Sequence, residues 1–426
     1  MRMRILLCTF VASVSLMPTY LWAGSQEFFL KSGDAVVFYG DSITAQELYT
    51  QWIELYTFTR FPGMRVHFFG AGVGGDRVSG GGGGDVDLRL SRDVFRHHPS
   101  VITVMLGMND GGYHPANTDT ENAYVKGYEH ILNTFHDLTP NARVVLLGPS
   151  PFDDIARPPT FDGGYNKVMK HFAELDQDFA KEHGYDFIDL NLPVETLVQK
   201  AQASDPVFAP FILPDRVHPE PIGHWAMAMA ILKAWNAPSL VSSVSIDARV
   251  THVDDASNAT VDHLQADGKS LQWTETENAL PLPFDSNNAF QQRILQLTDI
   301  QNQLNQEMLR VTGLDPGSFT LAIDGDVVGA FAAEDLAKGI NLANYHTPMR
   351  DQAQRVSWSV SDLAKADQIH MSMLIQKADI GPVKEKGDSL ETFEDSLEDK
   401  IYAGATPQSH SFTLSPVTSN QSSAPK

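Results

Sequence analysis

Three short stretches carry residues able to do acyl chemistry. Ser42 stands in Gly40-Asp41-Ser42-Ile43, Asn109 in Gly107-Met108-Asn109-Asp110, and Asp215 and His218 in Pro214-Asp215-Arg216-Val217-His218-Pro219. A serine hydroxyl becomes a nucleophile only when a base removes its proton. Histidine is the side chain suited to that task near neutral pH. A carboxylate three residues away is within reach of the ring, where it fixes the tautomer and stabilises the imidazolium. An asparagine amide is a neutral donor for a developing oxyanion, and glycines let backbone N–H groups come close to a substrate. Gly70–Gly75 reads Gly-Ala-Gly-Val-Gly-Gly, with Asp76 next. Singly, each stretch also has an ordinary reading. Gly-Asp-Ser is a turn with a helix cap, Asn-Asp is turn chemistry, and Asp-x-x-His is a polar loop. Gly70, Gly72 and Gly75 also fit a dinucleotide-binding spacing, which leaves nucleotide binding as a rival reading.

The elements that must position these residues are legible as alternation. Ala35–Tyr39, Val66–Phe69, Val101–Leu106, Arg143–Leu147 and Tyr185–Leu190 are short, apolar on both faces and closed by turn residues, as buried parallel strands are. Helix-length stretches lie between them at Ile43–Tyr56, Val86–Arg96, Thr120–Leu138, Tyr165–Lys181 and Pro221–Trp235. Alternating strands and helices predict a five-stranded parallel sheet covered on both faces. Ligands of such sheets sit beyond the carboxyl ends of the strands. Ser42, the Gly70–Gly75 run and Asn109 all follow predicted strands, and Asp215-x-x-His218 precedes the last predicted helix of this part.

In this order the stretches resemble the GDSL-type lipases and acylhydrolases, also called SGNH hydrolases. Ser42 matches the block I serine, Gly75 the block II glycine, Asn109 the block III asparagine, and Asp215 and His218 the block V Asp-x-x-His. The resemblance covers roughly residues 34–237. Gly70 departs from the pattern, standing where an asparagine is frequent. The resemblance implies a flavodoxin-like three-layer α/β/α sandwich and ester hydrolysis without a metal or other cofactor. It also implies an oxyanion hole made by Ser42, Gly75 and Asn109. The residues read bottom-up give the same chemistry: His218 takes the proton of Ser42, which attacks an ester carbonyl and forms an acyl-enzyme that water then opens. Tyr113 and His114 follow the Asn109 loop, either lining a substrate pocket or standing in a solvated loop. The remaining histidines build no recognised metal spacing.

The rest of the chain bounds the setting. Of 426 residues, 31 are Lys or Arg and 53 are Asp or Glu, a formal net charge of −22. Phosphate neutralisation dominates nucleic-acid affinity, so nucleic-acid binding is disfavoured. Arg2 and Arg4 followed by the apolar run Ile5–Met17 read as a signal peptide over residues 1–23. That run is too short to span a bilayer, which takes about 20 apolar residues. The expected mature protein is exported, periplasmic or secreted, with no stable membrane span. The only cysteine, Cys8, would leave with the leader, which excludes cysteine catalysis and zinc-finger sites. Residues 24–238 are read as the hydrolase domain and 239–378 as a smaller C-terminal α+β region. Within that region, Asn287–Arg310 reads as a helix, Phe319–Phe331 as a hairpin turning at Asp324-Gly325-Asp326, and Met349–Lys377 as one or two helices. Residues 379–426, acidic and then rich in Ser, Thr and Pro, read as a disordered tail, with a short helix in Leu390–Tyr402 as the alternative. The expected activity is hydrolysis of short-chain carboxylic esters, carbohydrate O-acetyl esters among them. An acyltransferase or thioesterase with the same residues is the alternative, and so is a non-catalytic carbohydrate-binding or scaffolding protein. The oligomeric state is not read from the sequence.

Overall fold

The computed structural model describes residues 27–284, 288–376 and 381–417. The expected signal peptide lies outside the described residues. Five short runs of β-branched and aromatic residues become the central sheet: β1 Asp34–Gly40, β2 Val66–Gly72, β3 Val101–Met105, β4 Arg143–Gly148 and β5 Asp186–Asp189. Val36, Val37, Phe38 and Tyr39 of β1 are all fully buried, because helices cover both faces. The strands pair in parallel in the order β2-β1-β3-β4-β5. In that order the connections diverge between β1 and β3, which opens a crevice beyond their carboxyl ends. This is the expected flavodoxin-like sandwich.

Helices α1 Ser42–Ala45, α2 Leu48–Arg60, α3 Thr118–Leu138, α4 Asn166–His183, α5 Asn191–Ser204 and α6 Pro221–Ala234 complete this part. Three details depart from the sequence reading. The helix expected over Ile43–Tyr56 breaks at Gln46–Glu47, where Glu47 takes φ 54. Only Val86–Arg89 of the next expected helix is α-helical; Leu90–Val94 forms a π-turn and Phe95–His97 a 3₁₀ turn. Helix α5 is not among the expected helices; Pro193 lies in its first turn, where proline removes no intrahelical bond.

The C-terminal part adds two sheets. Strands β6 Leu240–Asp247, β7 His252–Ser257, β8 Ala259–Asp267, β9 Ser270–Glu277, β10 Gln306–Thr312, β11 Ser318–Ile323, β12 Asp326–Ala332, β13 Ile340–Asn341 and β14 Ser409–Pro416 pair as β13-β10-β6-β7 and β8-β9-β14-β11-β12. The hairpin β11–β12 turns at Asp324 and Gly325 with φ 53 and 91, both positive, as a two-residue hairpin turn requires. The helix expected over 287–310 is instead two helices, Ala289–Leu297 and Ile300–Leu304, followed by β10; residue 287 is outside the described residues. Helix α7 spans Pro348–Ile375 and α8 spans Gly381–Ala405.

The tail is the main correction. Residues 381–405 form α8, which packs along α7, and β14 is the middle strand of its five-stranded sheet. Leu397, Ile401, Tyr402 and Ala405 form a helical stripe, and His410, Phe412 and Leu414 alternate inward. Composition hid both periodicities. The α7–α8 pair covers α2 and the outer edge of β2. There Tyr402 Oη accepts from Val66 N at 2.7 Å and stands edge-on to Phe58. Among the described residues no helix is long and apolar enough to cross a membrane.

Candidate active site

Ser42 follows β1 through Gly40 and Asp41. Any side chain at Gly40 would collide with Thr44 and the Met105 carbonyl, at 2.2 and 2.8 Å from its Cβ. The turn after β1 therefore closes tightly. Asp41 is buried, and its carboxylate accepts from Ile43 N at 2.9 Å, capping α1. Burial pushes the Asp41 carboxyl up to about 7, against that backbone hydrogen bond. Helix α1 is a single turn, so it brings little helix-end field to an oxyanion at Ser42.

Asp215 and His218 lie in the loop before α6. Asp215 Oδ1 accepts from Val217 N at 2.9 Å and His218 N at 2.8 Å, while Oδ2 lies 2.6 Å from His218 Nδ1. Burial works against the Asp215 charge, but the His218 ring and these backbone donors hold its carboxyl below the usual range. His218 Nε2 lies 2.8 Å from Ser42 Oγ. With Nδ1–H directed at the carboxylate, Nε2 is the ring atom left to accept the Ser42 proton. Residues 176 positions apart thus meet in series, hydroxyl to imidazole to carboxylate.

Asn109 follows β3 and turns toward the same place. Its Nδ2 donates to Asp76 O at 3.0 Å and lies 3.5 Å from Asp41 Oδ2; its Oδ1 accepts from Tyr113 Oη at 3.1 Å. Asp110 holds this loop by accepting from Gly107 N and Val78 N, each at 3.0 Å, and burial raises its carboxyl to about 6. Gly75 has φ +76 with open space where a Cβ would stand. Gly72 lies against α1 and Asn109 beside Asp41, and Gly75 precedes Asp76, whose carbonyl takes the Asn109 amide, while Gly70 lies further back on β2. No helix opens after the glycines until Val86, so the dinucleotide spacing lacks the helix it requires.

Tyr113 is half-exposed, and its ring packs 5.0 Å from Tyr165. His114 is exposed, with Nδ1 2.9 Å from Pro115 O. Sequence reasoning missed two arginine clamps, a buried one at Arg89 and a partly exposed one at Arg157. Arg89 pairs with Asp76 at 2.9 Å and donates to Ala71 O at 2.8 Å, fixing both ends of the glycine loop. Arg157 donates to Pro210, Leu213 and Pro214 carbonyls at 3.1, 2.7 and 2.8 Å, and to Asp153 at 3.0 Å. That clamp fixes the loop leading into Asp215. An arginine bound to backbone carbonyls leaves no spacing signal for a sequence reader. Among the described residues no group of three or more His, Cys, Asp or Glu is arranged to hold a metal.

Residues 38–226 match the family described as GDSL-like Lipase/Acylhydrolase. The chain is similar to a solved structure described as BT4096, a gut microbial diltiazem-metabolizing enzyme. Identity is 29% and the TM-score 0.82, covering 91% of this chain and 98% of that one. Two further solved structures are similar over about half of this chain. The acetylxylan esterase Axe2 of Geobacillus stearothermophilus is 20% identical, with TM-score 0.39 over 49% of this chain and 96% of that one. A lipase/acylhydrolase of Enterococcus faecalis is 21% identical, with TM-score 0.35 over 48% and 95%. The search of curated proteins returned no match.

Proposed function

We propose that this ester-bond hydrolase, whose residues 38–226 match the GDSL-like lipase/acylhydrolase family, is an exported serine esterase acting on short-chain carboxylic esters. The observation that carries the reading is the series Ser42 Oγ, His218 Nε2 at 2.8 Å and Asp215 at 2.6 Å from the same ring. In this reading Ser42 Oγ bonds to the ester carbonyl carbon as His218 takes its proton. Asp215 stays charged beside the imidazolium. The oxyanion is met by the N–H groups of Ser42 and Gly75 and by the Asn109 amide. The carbon–oxygen bond to the alcohol then breaks, and His218 passes its proton to the departing oxygen. Water, deprotonated by the same ring, opens the acyl-enzyme.

The setting supports a short acyl group joined to a bulkier alcohol. His218 is one-third and Asp215 about half exposed, so the alcohol portion can remain outside the sandwich. Carbohydrate O-acetyl esters and small drug-like esters both fit that description, and diltiazem belongs in the substrate panel because of the similarity to BT4096. Arg2, Arg4 and the apolar run behind them support export, with cleavage after Ala23. Ser42→Ala is expected to lower hydrolysis of p-nitrophenyl acetate by roughly four orders of magnitude or more with the circular dichroism spectrum unchanged. Unchanged turnover would overturn the assignment. Acyl transfer to added alcohols in preference to water would shift the reading to an acyltransferase.

A further inference from the structure

Tyr113 combines two features that packing alone does not require. Its ring is 44% exposed, and its backbone is left-handed, with φ 60, directly after Gly112 at φ 64. A bulky side chain takes that conformation rarely, and residues held in it gather at functional sites. Tyr113 also touches the reaction machinery, since its Oη donates to Asn109 Oδ1 at 3.1 Å. With the hydroxyl engaged there, what Tyr113 offers a ligand is the face of its ring.

That ring is the exposed end of a stack of three. Behind it stand Tyr165, 5.0 Å away and tilted by 34°, and Phe152, 6.2 Å away. These two meet edge to face at 5.2 Å and are buried. The stack is tied to both loops that carry the chemistry. Tyr165 Oη donates to Met108 O at 2.6 Å, one residue before Asn109. Next to Phe152, Asp153 N donates to Arg216 O at 2.9 Å, and the Arg216 guanidinium lies 5.8 Å from the Phe152 ring centre. Arg216 stands between Asp215 and His218 in the chain. Burial first, and then the charges of Asp41 and Asp215, raise the Tyr113 hydroxyl above its usual range, while Arg77 opposes them.

Resting on the serine-esterase reading, we propose that the exposed Tyr113 ring is a stacking shelf for the alcohol portion of the substrate, so that esters whose alcohol carries a ring are preferred to open-chain ones. The face of an aromatic ring is its negative side and favours C–H groups laid against it. A ring presents several such groups at once with few rotations to lose, whereas a chain of the same size must give up many. The shelf itself needs no ordering when substrate arrives, because its hydroxyl, its backbone and the two buried rings already hold it. The acyl group is short and its carbonyl oxygen is directed at Asn109, so the portion long enough to lie on the shelf is the alcohol.

The test compares cyclohexylmethyl acetate with n-heptyl acetate, esters of primary alcohols with equal numbers of carbons. The expected ratio of kcat/KM, ring over chain, is about three to ten in the wild type. Tyr113→Leu brings the ratio near one, while Tyr113→Phe, which keeps the ring, keeps the ratio although its kcat is lower. Cyclohexylmethanol is expected to inhibit hydrolysis of p-nitrophenyl acetate more strongly than n-heptanol, a reading that needs no variant. A wild-type ratio of one, with p-nitrophenyl acetate still hydrolysed, overturns the shelf alone, as does equal inhibition by the two alcohols. So does a ratio kept in a folded Tyr113→Leu or lost in Tyr113→Phe. A ring preference found instead in the acyl portion, with methyl cyclohexylacetate against methyl octanoate, overturns its assignment to the alcohol. Failure to hydrolyse any of these esters, p-nitrophenyl acetate included, overturns the shelf together with the esterase reading.

Discussion

At the scale of single residues, an amide can serve an oxyanion only if it is held in one orientation. Tyr113 Oη donates to Asn109 Oδ1, which fixes which end of the amide is oxygen, and one Nδ2 hydrogen is directed at Asp76 O. The other faces Asp41 Oδ2 at 3.5 Å, a long bond that an oxyanion can take over. Asn109→Ala is therefore expected to lower kcat by about 10²- to 10³-fold with little change in KM. Tyr113→Phe removes only the orienting bond, and a drop of at most about tenfold is expected. Steady-state kinetics on p-nitrophenyl acetate check both, and a wild-type kcat in Asn109→Ala would remove it from the oxyanion site. The residues that meet here were legible because each stands at a strand end or three positions from its partner. Tyr113 was half legible: it touches the site through Asn109, whereas His114, its neighbour, turns to its own backbone. Arg89 and Arg157 were not legible, since the contacts that tie them to the site loops, to Ala71 and to Pro210, Leu213 and Pro214, are made to carbonyls that any residue supplies.

At the scale of elements, the site depends on how closely β2 approaches α1. A Cβ at Gly72 would lie 2.2 Å from Ala45 N and 2.6 Å from Thr44 C, both backbone atoms that cannot step aside. Gly74, two residues on, faces open space. Gly72→Ala is expected to lose most esterase activity and several degrees of Tm, while Gly74→Ala keeps both near wild type. Comparable behaviour of the two variants would mean that the contact between β2 and α1 does not set the site. The same contact explains a sequence-level success and a failure. The five sheet strands could be read because burial on both faces makes them continuously apolar. The break after α1 could not, since nothing in Gln46-Glu47 announces a left-handed backbone, which non-glycine residues adopt only sparingly. Strand β10 was read as helix because Gln- and Leu-rich sequence precedes it without a breaker. Strand β14 was read as tail because its inward residues alternate with serine and threonine.

At the scale of the whole molecule, α7 and α8 close over β2 and bury carboxyl groups in the seam. Burial raises Glu54 to about 8 and Asp367 and Glu398 to about 7, with neighbouring carboxylates adding to the shift. In the unfolded chain such groups titrate near 4. Between about pH 4 and pH 8 the folded protein therefore binds more protons than the unfolded one, and stability falls as pH rises through that window. Scanning calorimetry is expected to give a lower Tm at pH 8.5 than at pH 5.5, with a smaller difference in Glu54→Gln. A Tm that rises with pH would mean the seam is not protonated. The same seam brings α7 to Ala45 of α1 and to Gly72–Gly74 at the end of β2, so a region more than 300 residues away in sequence borders the elements that carry the site. Composition and local periodicity carry no trace of that proximity.

The most direct test of the account is covalent labelling of the purified protein with a fluorophosphonate, followed by peptide mapping. Attachment of one phosphonyl group, on Ser42, with labelling slowed by orders of magnitude in His218→Ala, is the predicted result. Labelling at another serine, or equal rates at Ser42 with and without the imidazole, would contradict it.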